Sequence, residues 1–410
     1  MKKVTLLLFV LALFFAKSYA QTFEEEKIKP EAFEKVTPWI GGDFALQFQG
    51  IDNSADDIEL MPLGTGFNLP TTNLNLGADL APGMKVYLRT YLSSRHHNES
   101  WVQGGYLLVD AMPFIKSEAV DKLMQYLTLK IGVGEVNYGD GHFRRSDNAA
   151  VINNPFVGNY VMDAFTTAPM FEVMLRNNGW IGMVGVTDGS LNPTLVTYDA
   201  TAKEYNEINT ADELGVYGKF GFDKQLSDDL RLRLTVSPWI HGSSRRGTLY
   251  SGDRAGSRYY QIMVPASQEA AGTDIKKNHL NGNWGPGAYS EMTTVMFNSF
   301  LKYKGLEFFG LYETADGKTT SKADFNFDQL ALEGLVRFGG QDQFYGGLRY
   351  NRVTDDTDSS IDRVQVGAGW FLTKNVLAKL EYVNQQYNNF EMYGGDAEFK
   401  GVMFEAAISF

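Results

Sequence analysis

The feature that most constrains this chain is a period-two alternation of apolar and polar side chains, repeated from about residue 42 to the last residue. In LRLRLTVS, residues 230–237, every second residue is apolar, and Arg231 and Arg233 fall between the apolar positions. A strand places both arginines on one face, whereas a helix would scatter them around its surface. The same alternation in VYLRTYL, LTLKIGV, VQVGAGWFL and VMFEAAISF predicts an all-β fold.

The order of strands and connections narrows the type of β fold. The connections alternate in length: after even-numbered strands come short turns such as APG, NNG, KG and TK, with one exception at 111–125. After odd-numbered strands come long polar stretches, including 50–71, 188–214, 239–292 and 385–400. Bacterial outer-membrane barrels have short periplasmic turns and long extracellular loops, whereas a soluble sandwich has no reason to sort its connections. We therefore predict a transmembrane antiparallel up-and-down β-barrel of about sixteen strands, at 42–49, 72–80, 84–92, 101–110, 126–134, 169–176, 180–187, 215–223, 230–238, 293–303, 306–313, 328–338, 343–352, 362–372, 375–384 and 401–410.

Both ends of the chain agree with export to the outer membrane. Residues 1–20, MKKVTLLLFVLALFFAKSYA, read as a signal peptide, because a basic start is followed by an apolar run too short to span a bilayer and then by small residues. Residues 21–41 are predicted to form a short, solvated periplasmic segment, and residues 42–410 the barrel in contact with lipid and lipopolysaccharide. The last strand ends on Phe410, which resembles the terminal signal recognised by the barrel-assembly machinery.

Composition excludes several other classes of function. The chain has 37 Lys and Arg against 49 Asp and Glu, and this acidic balance argues against a nucleic-acid partner. There are no cysteines, so neither disulfides nor thiolate metal sites can form. No cofactor or metal is predicted, although the acidic run TDDTDSSID at 354–362 could bind calcium instead of being a solvated loop.

A barrel of about sixteen strands is too wide for wall side chains to fill, so an aqueous channel is expected. Residues 21–41 are too short for a plug domain, which favours passive diffusion of small hydrophilic solutes. The less apolar strand faces carry eleven basic and seven acidic residues, which predicts weak anion preference unless the mixed charges only hydrate the pore. The basic residues are Lys85, Arg89, Lys130, Arg176, Lys219, Arg231, Arg233, Lys302, Arg337, Arg349 and Lys379. The acidic residues are Asp79, Glu172, Glu307, Glu313, Glu333, Glu381 and Glu405.

The stretch GDGHFRRSDN, residues 139–148, begins the third long connection, at about 135–168. Together with the sixteen-strand topology, GDGHFRRSDNAAVINNPFVGNYVMDAF resembles a loop of the general and phosphate-selective porins, and more particularly of porins of the Bacteroidota. The resemblance implies that this loop constricts the barrel and that Arg144 and Arg145 project into the constriction, together with Asp140, His142 and Asp147. Guanidinium donors suit phosphate, sulfate or carboxylate groups. The arginine ladder and lysine cluster of phosphate-selective porins are absent, so sugars and peptides stay open as solutes, as does a homotrimer.

Two other classes of function remain open from the sequence. A barrel hydrolase would need a triad, and His142 with Ser146 and Asp147 is the only tight grouping, since the other histidines fall in separate predicted loops. A non-conducting barrel could instead serve as a scaffold or as a partner of surface or secretion machinery through the arginine-containing loop at 239–292.

Overall fold

The computed structural model describes residues 21–410 apart from 69, 94–98, 147–150, 192–195, 208–212, 252–255 and 268–281. Sixteen barrel strands run through this part of the chain. They are β1 (Thr37–Ala55), β2 (Thr71–Ala81), β3 (Met84–Ser93), β4 (Glu99–Val109), β5 (Leu127–Glu135), β6 (Thr167–Asn177), β7 (Trp180–Thr187), β8 (Gly215–Gln225), β9 (Leu230–His241), β10 (Tyr289–Tyr303), β11 (Leu306–Thr319), β12 (Asp324–Phe338), β13 (Phe344–Asp355), β14 (Ser360–Thr373), β15 (Val376–Phe390) and β16 (Gly395–Ser409).

Each strand pairs antiparallel with its neighbours in sequence, and β1 pairs with β16 through contacts such as Phe48 opposite Phe404. The sheet is therefore closed, and the predicted antiparallel up-and-down barrel is confirmed. Smaller elements are the strands Gly66–Phe67, Val196–Asp199 and Glu204–Glu207, the 3₁₀ turns Pro30–Ala32, Pro113–Ile115, Gly141–Arg144 and Glu391–Tyr393, and the helix α1 (Glu118–Met124). Within the described ranges, no helix is both long enough and apolar enough to cross a membrane.

The barrel is apolar outside and polar inside. In β14, Val364 and Val366 are about half exposed on the outer surface, while Arg363 and Gln365 between them are fully buried. The same alternation recurs along the other strands, so the period-two pattern in the sequence records which residues face lipid. Exposing these valines to water would be unfavourable, so the outer surface is stabilised by an apolar environment.

Aromatic side chains ring the outer surface at one end of the barrel. Trp180, Phe338 and Trp370 are exposed there, and Phe344 stacks between the last two with centroid distances of 5.7 and 5.8 Å. In transmembrane barrels, aromatic side chains near the strand ends lie at the boundary between hydrocarbon and water.

Connections at the two ends differ, though less regularly than the sequence predicts. The turn end carries the short connections 82–83, 178–179, 226–229, 304–305, 339–343 and 374–375, together with 110–126. The loop end carries 56–70, 136–166, 188–214 and 242–288, but also 94–98, 320–323, 356–359 and 391–394. The prediction of a long loop at 385–400 is wrong, because β15 and β16 continue to Phe390 and from Gly395. In their outer parts the outward-facing residues are polar, while Tyr387, Ala397 and Phe399 are buried on the other face, so the pairing continues after the outward face has stopped being apolar.

Candidate functional site

The connection between β5 and β6, residues 136–166, is called the inward loop, and its described residues 136–146 and 151–166 lie inside the barrel. Its side chains and backbone bond to wall residues on β12 to β15. Arg144 pairs with Glu333 at 2.7 Å, the Val161 N–H donates to Asn351 at 2.8 Å, and the Val157 N–H donates to Glu381 at 2.7 Å. Further bonds run to β8, β9, β10 and β11, and a few reach β5 and β6, so the loop is fastened mainly to the wall from β8 round to β15.

Arg144 and Arg145 are buried within this packing. Arg144 is 2% exposed and donates from Nε and Nη2 to Glu333, while Arg145 donates to Asp163 at 2.8 Å and stacks on Phe165. Burial lowers the pKa of the Arg144 guanidinium, but Glu333, together with Tyr160 and Glu307, outweighs burial and raises that pKa overall. The two arginines thus hold the loop in place, and do not project free donors into a constriction as the sequence predicted. Sequence reasoning counted the cations but had no way to see that carboxylates lie beside them.

Asp140 lies in a buried cluster of charges on the inward loop. Its carboxylate accepts hydrogen bonds from Arg233 at 2.7 Å and from Thr235 at 2.8 Å, and lies 3.0 Å from Lys219 Nζ. Burial acts to raise the pKa of Asp140, but the charges of Arg233 and Lys219 outweigh it and hold the pKa well below its ordinary value. Asp140 is therefore an ionised anchor of the loop.

The grouping that suggested a hydrolase is not assembled. His142 Nδ1 lies 2.5 Å from Glu135 and Nε2 lies 3.2 Å from Asn137, whereas Ser146 hydrogen-bonds to Val157 and Asn154. Asp147 lies outside the described residues. In the described part of the chain, His142 and Ser146 do not bond to each other, so no nucleophile stands beside this base.

Most of the predicted lumen-lining cations are paired. Lys219, Arg233, Arg349 and Lys379 are buried almost completely. Wall-to-wall ion pairs are Lys85–Asp79, Lys130–Glu172, Arg231–Asp223, Lys302–Glu307, Arg337–Glu307, Arg349–Glu333 and Lys379–Glu405. The excess of positive charge counted on the strand faces is reduced by carboxylates of the N-terminal segment such as Glu24, whereas the described part of the inward loop adds Asp140 and Asp163 together with Arg144 and Arg145.

One interior cation was missed. Arg363 is fully buried and donates to Gln385 and to the backbone carbonyls of Asn159 and Gly282, each at 2.5 Å. The signal was present, since Arg363 directly precedes Val364 and so belongs to the inner face of its strand.

Residues 21–25 enter the lumen from the turn end, and we call them the N-terminal strap. Phe23 is 8% exposed, and Glu24 Oε1 lies 2.6 Å from Arg233 Nη2. The prediction of a solvated tether is therefore wrong for these residues. An acidic stretch such as FEEE reads as solvated, but its counter-charges lie in β8 and β9, far along the chain.

Between the inward loop, the strap and the wall of β3 to β6 lies a cavity of about 240 Å³. Its wall side is formed by Arg89, Tyr106, Lys130, Glu172 and Arg176, and its inner side by Phe23, Glu25, His142 and Phe143. The carboxylate of Glu25 accepts a hydrogen bond from Tyr106 at 2.6 Å, and its backbone carbonyl accepts one from Arg176 Nη1 at 2.6 Å. The Arg176 Nε–H is buried and has no partner within the described structure. Arg89, Lys130 and Arg176 therefore provide positively charged hydrogen-bond donors along one wall of the cavity.

A second cavity of about 280 Å³ lies at the turn end, on the other side of the strap. It is lined by Trp180, Asp223 and Arg231, and it shares Phe23, Glu24 and Arg176 with the first cavity. The strap thus stands between the two spaces.

The acidic run at 354–362 has protein partners. Asp355 accepts hydrogen bonds from Thr357 and Ser359, and Asp362 accepts them from Tyr350 and Arg352. Among described residues, no group of three or more His, Asp or Glu is arranged to hold a metal ion.

No protein-family model and no curated protein matches the chain. Solved structures do match. An anion-selective porin from Comamonas acidovorans aligns over 92% of this chain and 100% of its own, with 11% identity and a TM-score of 0.54. The outer membrane channel DcaP of Acinetobacter baumannii aligns over 94% and 100%, with 10% identity and a TM-score of 0.52. OprB of Pseudomonas putida aligns over 92% and 94%, with 10% identity and a TM-score of 0.52.

Identity this low bears on the fold alone, and the resemblance to porins of the Bacteroidota stays a prediction. The fold, the lipid-facing outer surface and the polar interior agree with one another. The chain has the fold of the sixteen-stranded outer-membrane porins, a closed β-barrel whose apolar outer surface suits a membrane.

Proposed function

We propose that the protein is a porin, through which small hydrophilic solutes diffuse passively along the cavity between the inward loop and the wall of β3 to β6. The observation that carries the proposal is the uneven fastening of the loop. Most of its bonds run to the wall from β8 round to β15, and a few, such as those of His142 to Glu135 and of Asn137 to Glu172, reach β5 and β6, so a cavity lined by polar side chains stays beside the wall of β3 to β6. A loop that packed evenly against all strands would leave no such space.

Weak anion preference belongs to the same proposal. The carboxylates beside the cavity already accept hydrogen bonds, Glu25 from Tyr106 and Glu172 from Tyr217 at 2.8 Å. Lys130 and Arg176 lie on the wall, and Arg176 keeps one donor unpartnered. An anion passing through a low-dielectric lumen would find donors there, whereas a cation would find carboxylates that are already occupied.

Planar-bilayer recording of the refolded protein tests both statements. Discrete conductance steps, with a reversal potential under a KCl gradient that favours chloride, are the expected result. A folded barrel that passes no current would instead favour the scaffold function, and a cation-favouring reversal potential would contradict the anion preference alone. Phosphate, sulfate, sugars and short peptides, added as blockers, would then identify the solute class.

Catalysis is not part of the proposal, since His142 is paired with Glu135 and has no serine beside it. A homotrimer and recognition by the barrel-assembly machinery stay predictions. Chemical crosslinking in the outer membrane tests the first.

A further inference from the structure

We propose that the N-terminal strap is a fixed constriction, which narrows the diffusion pathway at the turn end and weakens its anion preference. The proposal rests on the porin function proposed above. It goes further by assigning pore width and part of the selectivity to residues that precede the barrel.

Electrostatic anchoring is the first argument. Six charged groups meet at the turn end, and we call them the turn-end ion cluster: Glu24, Asp140, Lys219, Asp223, Arg231 and Arg233. Glu24 contacts Arg233 at 2.6 Å and Lys219 at 3.6 Å. Lys219 and Arg233 are fully buried, and buried charges need counter-charges. With Glu24 in place, three cations meet three carboxylates, whereas without it the cluster has one positive charge in excess.

Apolar packing is the second argument. Phe23 packs edge-on against Phe300 of the wall and Phe143 of the inward loop, with centroid distances of 5.4 and 5.7 Å. The guanidinium of Arg233 lies 4.2 Å from the Phe23 ring centroid. Contacts of a buried aromatic ring with cationic and aromatic neighbours stabilise the docked position of a short segment, and a solvated acidic segment would lack these contacts.

The strap is also bonded at both of its ends. Gln21 donates to the Phe143 carbonyl at 3.1 Å and accepts from Arg144 at 2.9 Å, which ties it to the inward loop. Just beyond the strap, Lys27 donates to the Met124 carbonyl at 2.8 Å and lies 3.3 Å from Asp110. A segment held at both ends and in the middle stays docked at neutral pH.

Position then gives the function. Phe23 and Glu24 line both the lumen cavity and the cavity at the turn end, so the strap lies where the two cavities adjoin. Removing it would widen the pathway and expose the excess positive charge of the cluster to passing ions. Both conductance and anion preference should therefore rise.

The test compares three variants with the wild type: Phe23→Ala, Glu24→Gln and deletion of residues 21–25. Glu26→Gln is the matched control, because it makes the same chemical change on an exposed side chain two residues away. In planar bilayers, we expect conductance to rise about twofold for the deletion, and the anion-to-cation permeability ratio to rise about twofold for Glu24→Gln. Glu26→Gln should match the wild type in both.

Limited proteolysis measures docking of the strap independently of ion conduction. Trypsin cleaves after Lys27 but not between Lys29 and Pro30, and the bonds of Lys27 protect it while the strap is docked. Faster cleavage at Lys27 in Glu24→Gln than in Glu26→Gln is expected in refolded protein. Equal cleavage would overturn the anchoring argument, even if the deletion failed to fold.

The outcomes separate the strap from the porin function. A conducting wild type with unchanged variants overturns the constriction and leaves the porin standing. A silent wild type with a conducting deletion supports the strap as a complete closure. Silence in every folded variant overturns both proposals.

Discussion

Arg144 of the inward loop and Glu333 of β12 form a 2.7 Å ion pair between the loop and the barrel wall, although 189 residues separate them in the chain. Glu333 also accepts from Arg349 at 2.7 Å and from Tyr160, so one wall carboxylate holds two parts of the loop. Both partners of the pair are buried. Arg144 therefore holds the loop in place, and its replacement should affect the loop more than the solute path.

Arg144→Ala should loosen the inward loop while the barrel stays closed. Glu333 keeps Arg349, so no carboxylate is left unpaired, and we expect a loss of about 1–3 kcal/mol in the free energy of unfolding. Single-channel current should become noisier, while anion preference should change little, because the charge removed is buried and Glu333 stays paired with Arg349.

Arg352→Ala is the control for that change. Arg352 forms an exposed pair with Asp362 at 3.3 Å, and its loss should cost less than about 1 kcal/mol. Urea unfolding followed by gel mobility measures both. Unchanged stability together with reduced anion preference in Arg144→Ala would show that Arg144 faces the solute path after all.

Lys130→Gln should lower anion preference, because Lys130 lies on the cavity wall opposite the inward loop. The glutamine keeps most of the side-chain volume, so conductance in symmetric KCl should change little. Under a KCl gradient, the reversal potential should move toward the cation side. Lys374→Gln removes the same charge from an exposed turn and should leave the potential unchanged. Equal shifts in the two variants would mean that the path does not run along β5.

Strap docking should weaken in acid. Burial acts to raise the pKa of Glu24, but the charges of Arg233 and Lys219 outweigh it and lower the pKa to about 2, from an ordinary value of 4.5. A lowered carboxyl pKa stabilises the docked state fully above about pH 4.5 and loses that effect as pH falls toward 2. Wild-type conductance should hold from pH 7 to 5 and rise between pH 4.5 and 2.5.

The control for the acid effect is Glu24→Gln, which lacks the titrating group. Its conductance should be high already at pH 7 and should lack the acid rise. If wild type and variant respond to acid identically, the titrating group is another carboxylate, and Glu24 does not set the pH dependence.

The barrel could be predicted from the sequence because its cause is local. Residues along each strand alternate between lipid and the aqueous lumen, so the sequence of the strand alone shows which residues face outward. Strand ends could not be predicted as well. In NQQYNNF of β15, the outward-facing residues are polar whereas Tyr387 is buried on the other face, and only the pairing with β16 shows that the strand continues.

The interior could not be predicted because its contacts join distant segments. The cluster around Asp140 brings together Glu24, Lys219 and Arg233, and nothing in a single stretch indicates which carboxylate meets which cation. Sequence reasoning placed Arg144 and Arg145 in the correct loop but gave them free donors. It read the strap as solvated for the same reason, because its counter-charges lie in other strands.

Phe410 provides a test of assembly that is separate from stability. Its N–H donates to the Gly42 carbonyl and its own carbonyl accepts from the Gly42 N–H, both at 2.9 Å, while its ring is 69% exposed on the outer surface. Phe410→Ala keeps both backbone bonds, so the refolded barrel should unfold at nearly the same urea concentration as wild type. If the ring is read by the assembly machinery, the amount of folded protein in the outer membrane should fall severalfold. Phe404→Ala removes an exposed ring from the same face of β16 and is the matched control. An equal fall for both variants would indicate loss of lipid contact, whereas a fall for Phe410→Ala alone would identify the terminal ring as the recognised group.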